Sequence, residues 1–464
     1  MEHVDLLLDD GYVVTMDADR RMIAHGAVAV RDGEIVACGQ AATVRQAVTA
    51  ERTVDCAGKL VLPGFVDAHN HPIHFLSQGF SDDAPLYWRI ANRIRPMERI
   101  ISADDAYVAA KGNFATMLLN GSTCFIDPGG SYPDSVCRAA VDVGIRGLVA
   151  RSAQDASSEA LPIPQQYLET TDHVIDESIA LYDRWNGAGG GRIGVSFSLR
   201  DAETTSDALC RRMCEEAERR DTVVQMHLIT NAESEEQSLR QWGMTGLKRL
   251  ETLGILGPHL SLIHMGQVSV EDAELLARTA TSVVHCPSAS MLGGMGAVSS
   301  GGFLRMFDAG VLTALGTDAA AVSRFLDMIR VMYLAATAHK DVACDPEVAG
   351  CYRALEMATI DGARALRIDD RVGSLEVGKR CDAVVIDTDG PAWQPDPWFN
   401  PVANLVYAAD SSSVRHVIVD GNIVVEDRRL LTCDPTEVWA EALAARQSLM
   451  SRAEIELSPA WPVV

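Results

Sequence analysis

Eight short apolar segments, separated by longer stretches of helical character, dominate the middle of this 464-residue chain. Helical spacing of apolar residues, three or four apart, runs through 104–119, 206–219 and 323–340. Repeated βα units predict a parallel sheet, and eight of them in about 310 residues indicate a (β/α)₈ TIM barrel. The candidate strands are KLVLPGFVDA (59–68), STCFID (122–127), IRGLVA (145–150), RIGVSFS (192–198), TVVQMHL (222–228), LSLIHM (260–265), TSVVHC (281–286) and GVLTALGTD (310–318).

The two ends of the chain have a different pattern, in which short alternating apolar runs are separated by turn signals. Asp32-Gly33 lies between two such runs near the start, and Asp420-Gly421 lies between two near the end. Asp-Gly pairs in this context indicate β-hairpins. We therefore predict an α/β protein of two units. The barrel occupies 59–369, and a small β-sandwich domain is formed from both termini, 1–58 and 370–464.

Composition excludes several classes of partner. The net charge of -24, with no Lys/Arg-rich run, would repel a nucleic acid. The first residues carry acids where a signal peptide carries basic residues, and no apolar run reaches about 18 residues. The 11 scattered cysteines favour reduced thiols. These features predict a cytoplasmic protein that acts on a small molecule and binds neither nucleic acid nor a membrane.

Five of the 12 histidines and one aspartate fall at the C-terminal ends of the predicted barrel strands, where barrel enzymes have their active sites. His69 and His71 follow the first strand, and because residues i and i+2 of an extended segment point to the same side, both imidazoles can reach one ion. A third imidazole and a carboxylate would complete an N₃O set with room for water, as a catalytic metal site requires. The other strand-end residues are His227, His264, His285 and Asp318.

Each of these residues also has an ordinary explanation when it is taken alone. A histidine at a strand end is often a hydrogen-bonded rim residue, and Asp318, before AAAVSRF, can be a helix N-cap. Their shared position at the strand ends of one predicted barrel favours a common metal site over separate structural roles.

The sequence around these strand ends resembles the amidohydrolase superfamily. Within that superfamily it is most similar to the mononuclear branch that includes aminohydrolases and chlorohydrolases of purines, pyrimidines and s-triazines. The similarity covers nearly the whole chain, through LVLPGFVDAHNHP, LIHMGQVSVEDAELLARTATSVVHCPSAS, LTALGTDAAAVSRFLDM and GSLEVGKRCDAVVID. The resemblance implies a homo-oligomer and one set of metal ligands, namely His69, His71, His227 and Asp318.

The resemblance also implies a single metal and a hydrolytic mechanism. Binuclear relatives bridge two metals with a lysine from strand four, and RIGVSFSLRDAETTS contains none. We expect one divalent metal per subunit, zinc first, with Fe, Co or Mn as alternatives. Such an ion lowers the pKa of water toward 7 and supplies a hydroxide nucleophile, for which Asp318 would be the general base. His264 is either a further ligand or orients the hydroxide, and His285 either contacts the substrate or is structural.

The substrate-facing residues depart from the pattern of the branch. Its deaminases usually carry His-x-x-Glu after strand five, and the glutamate moves a proton to a ring nitrogen. Here HLIT puts Thr230 at that place, and threonine cannot exchange a proton near neutral pH. Leu199-Arg200 replaces the usual Pro-His after strand four, so we expect Arg200 and Thr230 to face the substrate. Trp88, after strand one, either lines an apolar pocket or packs internally.

These departures favour a different substrate on a retained metal site. We expect hydrolysis of a non-peptide C–N bond in an amide, urea or carbamate of a small neutral molecule, because a carbonyl needs no proton shuttle to a ring nitrogen. The alternative is an aminohydrolase or chlorohydrolase of an N-heterocycle, whose proton shuttle has moved to His285 or Asp318. A scaffold without activity is disfavoured by the retained ligand set.

Overall fold

The centre of the computed structural model, which describes residues 1–80, 82–454 and 461, is a ring of parallel strands. Two hydrogen-bonded sheets meet at the fourth strand, which is interrupted at Ser196. Backbone bonds from Ala68 to Leu315 (2.9 Å) and from Asp318 to His69 (2.8 Å) join the first strand to the eighth. The predicted TIM barrel is confirmed. Its strands 1 to 8 are Phe65–Asp67, Ser122–Gly130, Arg146–Arg151, Ile193–Val195 with Phe197–Asp201, Val224–Leu228, Leu260–His264, Ser282–His285 and Thr313–Leu315.

Helices follow the barrel strands, and their boundaries have local causes. Helix Ala103–Leu119 begins at a capping box in which the Ser102 side chain accepts from the backbone of Asp105. The helix predicted over 323–340 begins later, at Met328, because the Asp327 side chain accepts from the backbone N–H groups of Ile329 and Arg330 and caps the helix there, whereas Ser323 ends the preceding helix Ala320–Ser323.

The α-helices are Ala41–Ala47, Leu86–Arg89, Arg95–Ile100, Ala103–Leu119, Pro133–Val143, Thr171–Trp185, Ala188–Gly191, Asp207–Arg219, Ala232–Trp242, Gly246–Leu253, Val270–Thr279, Pro287–Leu292, Gly302–Asp308, Ala320–Ser323, Met328–Ala343, Cys351–Met357, Ile360–Ala365, Pro401–Tyr407 and Pro435–Arg452. Single turns of 3₁₀ or π type are Pro72–Ser77, Ile90–Ile94, Gln165–Tyr167, Ala202–Thr204, Pro391–Trp393 and Ser411–Ser413. Within the described ranges, no helix is both long and apolar enough to span a bilayer.

Strands from both ends of the chain form one nine-stranded sheet, which we call the terminal sheet. The Asp-Gly pairs at 32–33 and 420–421 have positive φ at both residues, as two-residue hairpin turns require. The strands are Glu2–Val14, Met22–Arg31, Glu34–Gln40, Val48–Asp55, Lys59–Pro63, Ala383–Asp387, Val414–Val419, Asn422–Glu426 and Arg429–Leu430.

The apolar run 59–68, predicted as one barrel strand, divides between the two units. Lys59–Pro63 pairs with Ala383–Asp387 in the terminal sheet, and only Phe65–Asp67 enters the barrel. The change of sheet occurs at Gly64, where a Cβ would lie 2.1 Å from Oγ1 of Thr123. The sequence pattern could not separate the two parts, because a fully buried strand has the same apolar character in either sheet.

Candidate metal centre and active site

His69 and His71 lie just beyond barrel strand 1, and the local hydrogen bonds direct both imidazoles to one side. Asn70, between them, points the other way and donates to Oγ1 of Thr317 at 3.0 Å. The Asp67 carboxylate accepts the backbone N–H of Thr317 at 2.8 Å, which ties this loop to barrel strand 8. The two imidazole centroids are 4.8 Å apart. The alternation of an extended segment therefore presents two histidine rings at the end of the barrel.

Asp318 reaches the same point from barrel strand 8. The backbone just before Asp318 packs closely on the segment that follows the first strand, because a Cβ added to Gly316 would lie 2.8 Å from Cβ of His69. Asp318 has φ 61, a left-handed conformation that these contacts hold in place. Its Oδ1 lies 3.6 Å from Nε2 of His71 and 3.8 Å from Nε2 of His69. The next helix is capped at Ala319, so Asp318 is not the N-cap that its sequence context also allowed.

His227 and His264 complete the cluster from barrel strands 5 and 6. Nδ1 of His227 hydrogen-bonds to the backbone carbonyl of Arg200, which leaves Nε2 free to coordinate an ion. Nε2 of His264 lies 3.8 Å from Oδ2 of Asp318. His264 also has a left-handed backbone, with φ 76. Four imidazoles and one carboxylate thus converge from four strands.

The donor atoms fit a divalent metal ion. Two overlapping sets each lie within 4.8 Å, one of His69, His71 and His227 and the other of His69, His264 and Asp318. Nε2 of His69 is buried with no hydrogen-bond partner among the described residues, while its Nδ1 lies 3.2 Å from Oε1 of Gln225.

Burial holds the pKa of His69, His71 and His264 well below the ordinary value, so these rings are neutral and can donate lone pairs. An orphaned nitrogen at the centre of neutral imidazoles is the arrangement that a bound cation satisfies.

A cavity opens over this cluster. Arg200 and Thr230, the two residues that the sequence analysis expected to face the substrate, lie in the cavity wall. Trp88 does not line it. This residue is 47% exposed, with the Arg93 guanidinium 5.2 Å from its ring, and its neighbour Tyr87 occupies the wall instead.

His285 also lies outside the cavity lining, although it ends barrel strand 7 as predicted. It is fully buried, its Nε2 lies 3.0 Å from Nε2 of His339, and its ring packs on Phe303. Of the two roles that the sequence left open for His285, this position favours the structural one.

The cavity wall carries charged residues that the sequence patterns did not single out. Arg95 pairs with Asp201 at 3.3 Å, and Arg89 extends into the same wall. The spaced arginines of RIANRIRPMER were the only signal in the sequence, and charges spaced in this way usually lie on a solvated helix face.

Glu203 is a second buried acid of the cavity, in addition to Asp318. Its Oε1 accepts the hydroxyl of Tyr87 at 3.2 Å. Burial, together with the nearby Asp201 carboxylate, raises the pKa of Glu203 to about 7. Glu203 can therefore hold or release a proton at neutral pH. No motif in the sequence identified Glu203, because its pKa depends on contacts that only the folded chain makes.

Residues 60–424 match the amidohydrolase family, which is most of the chain. This protein therefore belongs to the amidohydrolase family, and it is a metal-dependent hydrolase of C–N bonds other than peptide bonds.

Several relatives define the similarity further. The 5-methylthioadenosine/S-adenosylhomocysteine deaminase of Syntrophobacter fumaroxidans is 35% identical over 436 residues, which cover 94% of this chain and 96% of that protein. The crystal structure of an adenosine deaminase from Xanthomonas campestris with bound zinc matches with a TM-score of 0.90 at 30% identity, over 97% of this chain and 99% of that one.

The zinc complex of atrazine chlorohydrolase from Arthrobacter aurescens TC1 shares the fold, with a TM-score of 0.86 at 22% identity over 95% and 100% of the two chains. The two deaminases support the aminohydrolase alternative better than the expected amide, urea or carbamate substrate.

Proposed function

We propose that this protein hydrolyses the exocyclic amino group of an N-heterocycle, using one divalent ion per chain, with zinc as the first candidate. The observation that carries the proposal is the convergence of four imidazoles and the Asp318 carboxylate on one point at the floor of the cavity. The deaminase relatives favour an amino-heterocycle as the substrate. In the reaction, water oxygen bonds to the ring carbon, the carbon–nitrogen bond breaks, and ammonia leaves.

The proposed ligands are His69, His71, His227 and Asp318, and an ion held by them would lower the pKa of a water toward 7. Asp318 has one oxygen fixed by the backbone N–H of Ala319 at 2.6 Å, while its other oxygen faces His264. This second oxygen can accept the proton of the attacking water and return it to the leaving amine. His264, held neutral by burial, can orient the water.

Deamination of a ring amine also needs a proton at the ring nitrogen. Thr230 cannot supply it at neutral pH. Glu203 lies in the same wall and, with a pKa of about 7, is protonated in part of the population at neutrality. Tyr87 occupies one of its oxygens, which leaves the other for the substrate. We assign to Glu203 the transfer of this proton.

The proposal is tested by measuring ammonia release from adenosine, 5-methylthioadenosine, aminopyrimidines and amino-s-triazines with the metal-saturated protein. Amine release from aryl ureas and carbamates is measured in parallel. We expect at least one amino-heterocycle to react with a kcat/KM of about 10⁴ M⁻¹s⁻¹ or more. His71→Ala should bind less than one ion per chain and lose this activity. Turnover of ureas or carbamates with no ammonia from any heterocycle would contradict the proposal.

A further inference from the structure

Arg89 is a buried guanidinium without a protein partner among the described residues. Only 4% of the residue is exposed, yet no described carboxylate oxygen lies within 4.0 Å of its nitrogens. Burial lowers its pKa. The other buried arginines of the described chain all have a carboxylate partner, namely Arg95 with Asp201, Arg146 with Asp382 and Arg249 with Asp207.

The Arg89 side chain lies in the wall of the cavity that contains the metal donors. It extends from helix Leu86–Arg89 toward Gly293, where an added Cβ would be 3.1 Å from Nη1 of Arg89. Gly293 follows the helix after barrel strand 7, so the guanidinium reaches from one wall loop to another. The Asp318 carboxylate acts on the Arg89 charge through space but is not within ion-pair distance.

The other arginine charges of the wall are already matched. Arg95 has Asp201 at 3.3 Å, and Arg200 has Glu98 at 2.8 Å. Arg89 therefore adds a positive charge that, among the described residues, is balanced only by the through-space attraction of Asp318. Such a local charge can attract an anion even though the whole chain is strongly acidic, because the local potential depends on the groups that line the cavity.

A guanidinium keeps its proton in proteins, so Arg89 cannot become neutral as a buried lysine can. An unpaired buried charge is strongly unfavourable unless a bound molecule supplies the counter-charge. The planar fork of N–H donors matches a carboxylate, which it can bind through two parallel hydrogen bonds. The missing partner is thus an anionic oxygen group on the ligand.

We propose that Arg89 binds a carboxylate of the substrate, so that the substrate is an anionic amino-heterocycle. This inference rests on the proposed function for the amino-heterocycle and adds the acidic substituent. It replaces the expectation of a neutral substrate. Arg89 is then a specificity-determining residue, and its contribution belongs to substrate binding.

The test compares ligands that differ only in charge. The probes are 4-aminopyrimidine-5-carboxylate and its carboxamide, and 6-aminonicotinate and its carboxamide. Their affinities for the metal-loaded protein are measured by titration calorimetry. We compare the wild type with Arg89→Met, Arg89→Lys and Arg240→Gln. Arg240 is an exposed arginine of helix Ala232–Trp242 and serves as the control for loss of one positive charge.

In the wild type and in Arg240→Gln, we expect at least one carboxylate to bind about tenfold more tightly than its carboxamide, the size of one charge-assisted hydrogen bond. Arg89→Met should lose this preference. Arg89→Lys should keep part of it, and it decides the matter if Arg89→Met does not fold. Equal or undetectable binding of every carboxylate, or a preference that survives in Arg89→Met, would overturn the inference. Because binding is measured separately from ammonia release, the proposed deamination can stand or fall independently.

Discussion

Asp318 and His264 face each other across the floor of the cavity, with Oδ2 of the aspartate 3.8 Å from Nε2 of the histidine. Both residues have left-handed backbones, so two strand ends are bent to bring these side chains together. We predict that His264→Asn keeps one metal ion per chain and loses kcat by about 10³, because the imidazole orients the attacking water and is not one of the four ligands. Metal analysis with steady-state kinetics checks this. Loss of the ion would instead make His264 a ligand.

Gln225 sets the orientation of the His69 ring. Its Nε2 donates to the backbone carbonyl of Ala68 at 2.8 Å, which aims Oε1 at Nδ1 of His69. The ring therefore presents Nε2 to the ion. We predict that Gln225→Leu weakens metal affinity by about 10- to 100-fold, measured by competition with a chelator. Unchanged affinity would show that other contacts hold the His69 ring.

Tyr87 stabilises the ionised form of Glu203 by donating a hydrogen bond to it. If protonated Glu203 supplies the proton to the substrate, kcat/KM falls as pH rises through the pKa of Glu203, which is about 7. Tyr87→Phe removes the donor, so the pKa of Glu203 rises and the falling limb moves to higher pH by up to about 1 unit. The pH profile of kcat/KM measures this shift. Glu203→Gln should abolish this limb and cost about 10²- to 10⁴-fold in rate. A shift to lower pH in Tyr87→Phe would contradict the assignment.

Thr230 lies in the wall of the same cavity as Glu203. We predict that Thr230→Glu does not raise kcat/KM on the natural substrate. A second acid would duplicate a proton transfer that Glu203 already performs, and it would add a negative charge near Asp318. Kinetics of this variant beside Thr230→Gln, which adds similar bulk without charge, make the comparison. A large gain in Thr230→Glu alone would show that the glutamate was missing from the mechanism.

Asp127, in barrel strand 2, makes stability depend on pH. Its Oδ2 is buried with no hydrogen-bond partner among the described residues, and burial raises its pKa to about 7. The folded state therefore binds the proton more tightly than the unfolded state, whose pKa lies near 3.8. The contribution of this proton to the free energy of unfolding is fully favourable below about pH 3.8 and is lost as the pH rises toward 7. Above that pH the free energy of unfolding levels off.

We predict that, as the pH rises from 5 to 8, the free energy of unfolding of Asp127→Asn increases by about 2 to 3 kcal/mol relative to that of the wild type. Urea unfolding at constant metal saturation measures the gain. Asp176→Asn, on the exposed face of helix Thr171–Trp185, should follow the wild type at every pH. A gain in Asp127→Asn that does not change with pH would contradict the argument.

The fold, and the convergence of the candidate metal donors, could be predicted from the sequence because their signals are local. A barrel strand is a short apolar run, and His69 and His71 need only the alternation of one extended segment to share a side. The partner residues then follow from the rule that strand ends converge at one end of a barrel.

The substrate-facing residues depend on contacts between distant parts of the chain. Tyr87 lines the cavity in place of Trp88. The sequence could not show which of the two faces the cavity, because their helix has only four residues. The position of His285 follows from a hydrogen bond to His339 on a helix far along the chain. Arg89 stands out only because, among the described residues, the other buried arginines have carboxylate partners and it has none, which depends on the packing of several loops.

The direct passage from Lys59–Pro63 to Phe65–Asp67 leaves no hinge between the terminal sheet and the barrel. The strand that leads to His69 thereby continues directly from Lys59–Pro63, which pairs with Glu2–Val14 and Ala383–Asp387 in the sheet built from both ends of the chain. The barrel cannot be excised as a minimal catalytic fragment. A cut at residue 59 would remove the terminal-sheet strands that pair with Lys59–Pro63 and thereby help to position the loop that carries His69 and His71. For protein engineering, the terminal sheet must therefore be kept together with the barrel.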